Sequence, residues 1–157
     1  MLNEFENLSV KQIELLFDAP VLVTLWVASA DGKIDASERN LAMEIAHIKS
    51  FSEKENLKEF YHHLENEFER RMNYYLANLP QDGDEMRKEL ERKLSELNPI
   101  MAQLPYKFAH NLYLSLKNLM VHVANASGGF FGFKSISPEE KEALHLNMVE
   151  EPTHHTE

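Results

Sequence analysis

Three carboxylates follow a turn in the first quarter of the chain: Asp31, Asp35 and Glu38. Their spacing, with Gly32 directly after the first acid, matches the second half of an EF-hand loop, in which the glycine permits a sharp turn and the last glutamate binds through both oxygens. The first half is missing, because Val27 occupies the first ligand position and has no side-chain oxygen. The three acids are therefore candidate ligands of a divalent cation that needs further ligands from elsewhere. Oxygen-only ligands favour calcium or magnesium over zinc.

A weaker second copy of this segment lies near the carboxyl end of the chain. The pattern of residues 27–38 recurs at 123–140, with six extra residues inside the second copy and Ser127 in place of the first Asp. We interpret the pair as a degenerate duplication of a helix-turn-helix unit. If the two copies pack as a pseudo-symmetric pair, Glu139 and Glu140 can supply the missing cation ligands.

The combination resembles the TerB-like tellurite-resistance family over roughly residues 15 to 146. The residues that carry the resemblance are Ala30, Asp31, Gly32, Ile34, Asp35 and Glu38, supported by Ile136, Pro138 and Glu140. The resemblance implies an all-helical fold, a divalent-metal site at the acidic residues and a role in resistance to tellurite and other stresses. It also implies protein partners in cytoplasmic complexes near the membrane, and no enzymatic activity. Ser127 and the following insertion depart from the family pattern in the second unit.

The insertion, residues 128–133, consists mostly of glycine and phenylalanine. It is no phosphate-binding loop, because no glycine there is directly followed by Lys-Ser or Lys-Thr. Phe130, Phe131 and Phe133 either fill grooves between helices or form a partner-binding loop, since exposed aromatic clusters are typical of interaction sites.

Two alternatives to the cation-binding module remain. One is a small helical metalloenzyme, because Glu-x-x-His pairs of the type used in di-iron bundles begin at Glu44, Glu59 and Glu142. Helical geometry places Glu59 and His62 opposite the apolar face of their helix, toward water. The other alternative is a scaffold whose acids only cap helices. No catalytic residues are evident, and we interpret the pairs His62-His63 and His154-His155 as surface, packing or tail residues.

The composition excludes several classes of protein. The net charge of -10, with 16 Lys and Arg against 26 Asp and Glu, is unfavourable for nucleic-acid binding. Without cysteine there are no disulfides and no thiolate chemistry. The amino terminus lacks a secretory pattern and the longest apolar run is too short for a membrane span. We therefore expect a soluble protein, and the resemblance to the TerB-like family implies a cytoplasmic one.

The apolar residues repeat at helical spacing throughout, which predicts a single all-α domain of about seven helices at residues 1–149, followed by a flexible acidic and histidine-containing tail at 150–157. Ser9 and Gln12 form a capping box for the first helix, and Asp18 is expected to cap a separate, central second helix that ends at Ala30. Trp26 is expected to be buried where this second helix contacts the sixth. The remaining helices are predicted to start near Asp35, Ser52 and Gln81, to run from 105 to 126, and to start again at Ser137.

Overall fold

The computed structural model describes residues 3–29, 55–130 and 146–153, with side chains in the middle range described from 57 to 124. Within these ranges all regular structure is helical, so the predicted all-α class is confirmed there. A short 3-10 helix at Asn3–Phe5 precedes the α-helices. These are α1 (Val10–Ala28), α2 (Glu55–Glu65), α3 (Phe68–Asn78), α4 (Gly83–Ser95), α5 (Leu97–Met101) and α6 (Tyr106–Phe130). The helix starts predicted at Asp35, Ser52 and Ser137 lie outside the described residues, so the predicted count of about seven helices is not tested.

The first helix begins with the predicted capping box. The Ser9 hydroxyl accepts a hydrogen bond from the Gln12 backbone N–H at 3.1 Å, and the Gln12 side chain accepts one from the Ser9 backbone N–H at 2.9 Å. The predicted second start at Asp18 is wrong, because α1 continues through Pro20 to Ala28. Proline cannot donate the helical backbone bond, but Thr24 still donates its hydroxyl to the Pro20 carbonyl at 2.8 Å. The Asp18 carboxylate is engaged in tertiary contacts described below, so it does not act as a cap.

The carboxyl-terminal half of α1 forms the centre of the molecule. Every residue from Ala19 to Ser29 is buried, and Trp26 is 7% exposed, as expected. Among the described elements α1 has its most extensive contact with α6 and a smaller one with α4. The contact predicted between the helix that contains Trp26 and the helix that ends before the second acidic segment is therefore confirmed, as the contact of α1 with α6. The acidic segments that follow them are not described.

Four phenylalanine rings join the start of the chain to this centre. Phe5 makes edge-to-face contacts with Phe17, Phe60 and Phe108, at centroid distances of 5.7, 6.3 and 5.6 Å. Such pairs contribute roughly 0.5–1.5 kcal/mol beyond the burial of their area. Because the rings come from the 3-10 helix, α1, α2 and α6, they fix the amino-terminal ends of α1 and α6 relative to α2.

The segment predicted as one long fourth helix is two helices. α2 ends at Glu65 and α3 begins at Phe68, and at the break the Glu67 N–H donates to the Leu64 carbonyl at 2.8 Å. The predicted apolar face is nevertheless buried: Leu57, Phe60, Tyr61, Leu64 and Phe68. The break therefore interrupts the helix without exposing the apolar side chains.

The next two helices form the side of the molecule that faces α1 and α3. Asp82 caps α4 by accepting from the Glu85 N–H at 3.1 Å, and the apolar stripe of Met86, Leu90 and Leu94, which repeats at helical spacing, is buried. Pro99 lies in the first turn of α5, where its missing N–H costs no hydrogen bond.

The last described helix, α6, runs four residues beyond its predicted end at 126 and includes Gly128 and Gly129. It is long, but no helix in the described part of the chain is both long and apolar enough to cross a membrane.

The segment at 146–153 packs beside α5. Leu146 and Val149 are buried, and the Asn98 side chain donates to the Met148 carbonyl at 2.9 Å and accepts from the Glu150 N–H at 2.8 Å. Asn98 thus replaces missing backbone partners on both sides of Val149. The predicted tail begins at 150, and its first residue takes part in this attachment.

Candidate functional site

The residues predicted to bind a cation lie outside the described part of the chain. This applies to Asp31, Asp35, Glu38, Glu139 and Glu140, and to Phe131 and Phe133 of the predicted partner-binding loop. Phe130 is the last residue of α6, and its side chain is not described. What the structure describes is the pair of helices that lead into the two acidic segments.

The end of α1 is held by a residue of α4. The Arg87 guanidinium carbon lies 3.7 Å from the centroid of the Trp26 ring, and the same group donates to the Trp26 carbonyl at 2.8 Å and to the Ser29 hydroxyl at 3.2 Å. A cation is favoured here by the aromatic face and by the carbonyl end of the helix dipole. Arg87 therefore fixes the last turn of α1 directly before the segment that contains Asp31.

The histidines of α2 show no sign of a metal site. His62 is 79% exposed and lies 3.9 Å from Glu65, and Glu59 is also exposed, as helical geometry predicted. The His63 ring packs on the Phe17 ring at a centroid distance of 4.5 Å. No group of three or more His, Asp or Glu residues suited to a metal occurs in the part of the chain that the structure describes. The pairs that begin at Glu44 and Glu142, and the His154-His155 pair, lie outside that part.

A buried arginine forms a charged cluster between α1 and α3. Arg71 is 5% exposed and its guanidinium contacts three carboxylates: Asp18 at 2.8 Å, Glu67 at 2.6 Å and Glu14 at 2.8 Å. The Tyr75 hydroxyl donates to the second oxygen of Asp18 at 2.6 Å. Asp18 thus joins two side chains of α3 to the middle of α1, where a helix cap was expected.

The cluster shifts the pKa values of its members in directions that favour its present charges. Burial disfavours the Arg71 cation, but the hydrogen bonds that Arg71 donates to Asp18 and Glu67 raise the pKa of Arg71 above its ordinary value. Burial also acts against ionised Glu67, yet the hydrogen bond and charge of Arg71 hold the pKa of this carboxyl below its usual value of 4.5. Burial and the bond to Asp18 raise the pKa of the Tyr75 phenol. Tyr75 is therefore a neutral donor and no candidate for a phenolate base.

The cluster forms one wall of a groove of about 720 Å³ between α1, α3, α4 and α5. This volume lies within the range of roughly 300–1,000 Å³ that is typical of small-molecule sites. Its apolar surface comes from Leu15, Tyr74, Pro99 and Ile100, and Tyr74 is 60% exposed. In this groove the described residues bring charged and aromatic side chains together.

Sequence reasoning did not identify this groove, although one signal was present. Arg71 lies three residues after Phe68 and four before Tyr75, on the apolar face of α3, where an unpaired charge would be costly. A charged residue on such a face indicates a buried partner. The partner itself, Asp18, is 53 residues away in the chain and has no local signature.

Comparison of the chain with known proteins gives no match to a family model, to a curated protein or to a solved structure.

Proposed function

We propose that the chain is a non-enzymatic interaction module that binds one divalent cation through Asp31, Asp35 and Glu38, in the manner expected of a TerB-like protein. Calcium or magnesium is the proposed ion, because the ligands are all oxygens. Glu139 and Glu140 of the second acidic segment complete the coordination in this proposal. The biological setting proposed with it is a cytoplasmic stress response, to tellurite or another agent, in a complex with protein partners near the membrane.

One observation supports this proposal above the others: the two helices that lead into the acidic segments pack on each other. The contact of α1 with α6 is the most extensive between described helices, and the end of α1 is buried and held by Arg87. A half-loop lacks enough ligands of its own, so it needs a second segment brought near by tertiary structure. Packing of α1 on α6 joins the two helices that precede these segments, which is compatible with such an arrangement.

The metalloenzyme alternative has less support. It requires Glu and His side chains directed into the bundle, and the one Glu-x-x-His pair in the described residues, Glu59 and His62, is exposed. The scaffold alternative has a local example, because Asp82 acts as a helix cap directly before Gly83. An Asp-Gly helix start in this chain is therefore compatible with a capping role, and only a binding measurement separates the two.

The test is titration of chelator-treated protein with calcium, magnesium and zinc by isothermal calorimetry. We expect saturable binding of one calcium or magnesium ion. Asp31→Asn should weaken it on the order of tenfold or more, because affinity depends on the number of charged ligands. Asp84→Asn is the matched control, since it removes the same charge from an exposed position in the first turn of a helix, directly after the Asp82-Gly83 pair.

A flat trace with all three ions would leave the acids as caps and end the cation proposal. Equal weakening by Asp31→Asn and Asp84→Asn would show a general charge effect and would remove the assignment of the site. Turnover of a substrate by the metal-loaded protein would favour the metalloenzyme.

A further inference from the structure

The groove beside Arg71 has a charge balance that differs from that of the whole chain. Four basic and three acidic side chains line it, whereas the chain has 16 basic and 26 acidic residues. The acids are already engaged: Glu14 and Asp18 bind Arg71, and Glu96 lies 3.0 Å from Arg92. The acidic side of the groove therefore has little capacity left for a cationic ligand.

Two lysines of the groove, in contrast to its acids, are not engaged in ion pairs among the described residues. Lys11, from the first turn of α1, and Lys93, from the last turn of α4, line the groove and form no ion pair with any residue that the structure describes. The Lys93 ammonium lies 5.9 Å from the centroid of the ring of Tyr75, which also lines the groove. Both ammonium groups are available to an anion that enters from solvent.

The apolar lining of the groove indicates which chemical group the anion must be attached to. Tyr74 presents an exposed ring, and Leu15, Pro99 and Ile100 add aliphatic surface. Such a surface stabilises an apolar or aromatic group by burial and by ring contacts. The groove has only one more basic than acidic side chain, which matches a singly charged ligand better than a dianionic phosphate.

We propose that this groove binds a carboxylate that is attached to an aromatic or branched apolar group. Lys11 and Lys93 contact the carboxylate, and Tyr74 with the aliphatic residues contacts the apolar group. Arg71 does not contact the ligand directly; it holds Asp18 and Glu14 so that they do not repel it. None of the residues proposed to bind a cation belongs to this groove's lining, and the proposal does not depend on the cation site.

Two sources present this chemistry: a small organic acid and the carboxyl-terminal residue of a peptide. The probes are N-acetylphenylalanine and acetyl-Ala-Ala-Phe with a free carboxyl group. The amide of N-acetylphenylalanine is the neutral control of the same shape. Binding is followed by calorimetry and by chemical-shift changes of the ¹⁵N-labelled full chain, which locate the probe on α1, α3 and α4. Tighter binding of the tripeptide identifies a peptide terminus, and equal or weaker binding identifies a free acid.

The charge requirement gives the decisive comparison. Loss of one charge-assisted hydrogen bond weakens binding by about tenfold, so the amide should bind at least that much more weakly than the acid. Lys93→Met and Lys11→Met should each lower the affinity by about five- to tenfold. Tyr74→Ala should also lower it, and because this side chain is 60% exposed its removal leaves the fold intact.

Lys88→Met is the matched control, because Lys88 is a 75% exposed lysine of α4 outside the groove. It should leave the affinity within about twofold of the wild type. Three results would overturn the proposal: equal binding of acid and amide, equal weakening by Lys88→Met and Lys93→Met, or no shift changes at the groove with millimolar probe. Melting temperatures of all variants establish that each one is folded.

Discussion

Replacement of Arg71 by methionine is the most informative test of the charged cluster. Methionine keeps the length of an unbranched side chain, so the packing of α3 changes little while the guanidinium is lost. The variant leaves the carboxylates of Asp18, Glu67 and Glu14 without their common partner. Tyr75 still donates to Asp18, so one hydrogen bond between α1 and α3 remains.

The expected cost follows from how far each carboxylate can reach water. Breaking a buried ion pair by removing one partner costs roughly 3–5 kcal/mol. The side chains of Asp18, Glu67 and Glu14 are 16%, 27% and 55% exposed, so all three regain part of their hydration. We therefore expect Arg71→Met to lower the free energy of unfolding by about 2–4 kcal/mol. For a domain of this size that corresponds to a fall in Tm of roughly 4–16 °C.

Urea unfolding followed by circular dichroism measures this loss, with Arg70→Met as the matched control. Arg70 precedes Arg71 and is 68% exposed, with one described contact to Glu67 at 3.5 Å. An exposed pair of this kind contributes about 0–1 kcal/mol, so the control should be close to wild type. A loss below about 1 kcal/mol for Arg71→Met, or equal losses in the two variants, would refute the assignment of a stabilising cluster.

The stability difference between wild type and Arg71→Met should also depend on pH. The folded-state pKa of Glu67 lies below its usual value of 4.5, so its contribution to stability is present above pH 4.5 and is lost as the pH falls through the lower folded pKa. The difference in stability between wild type and Arg71→Met should therefore be largest near neutral pH and should narrow in acid. A difference that stays constant down to about pH 3 would show that packing, and not charge, causes the loss.

Two further predictions concern contacts at the ends of the central helices. Arg87→Met should shift the Trp26 fluorescence maximum to longer wavelength and lower the free energy of unfolding by about 1–2 kcal/mol, because it removes the stacked cation and two hydrogen bonds. The control Arg92→Met, on the exposed side of the same helix, should change neither quantity. An unshifted spectrum for Arg87→Met would contradict the contact. Asn98→Ala should speed hydrogen exchange of the Glu150 amide, measured by mass spectrometry of the carboxyl-terminal peptide, because Asn98 supplies the bonds that attach this segment; unchanged protection would contradict it.

Features that depend on neighbouring residues were predictable from the sequence. The capping box of Ser9 and Gln12, the stripe of Met86, Leu90 and Leu94 on α4 and the burial of Trp26 all have local or periodic signatures, and each is present in the structure. Such features follow from the hydrogen-bonding needs of a helix end and from the helical repeat. They need no knowledge of where other parts of the chain lie.

The errors arose where a distant partner outweighed a local preference. Asp18 followed by Ala19 and Pro20 is a favourable helix start, but the Asp18 carboxylate is bound by Arg71 and Tyr75 of another helix, and α1 continues through this point. At the break between α2 and α3 there is neither proline nor glycine. The residue at the break, Glu67, binds Arg71 four residues later, and Arg71 in turn binds the distant Asp18 of α1.

An Asp-Gly helix start can cap a helix or bind a cation, and these two roles also differ in whether they depend on a distant part of the chain. At Asp82 the carboxylate accepts from the Glu85 N–H, and the acids beside it are exposed, so capping accounts for the residue completely. The segment at Asp31 has a similar local sequence but follows a buried helix that packs on α6, the helix that leads to the second acidic segment. Capping needs only the next turn of its own helix, whereas a cation needs oxygens from more than one part of the chain. The property that separates a cap from a cation site is therefore the approach of a second segment, which depends on helix packing and not on the Asp-Gly motif itself.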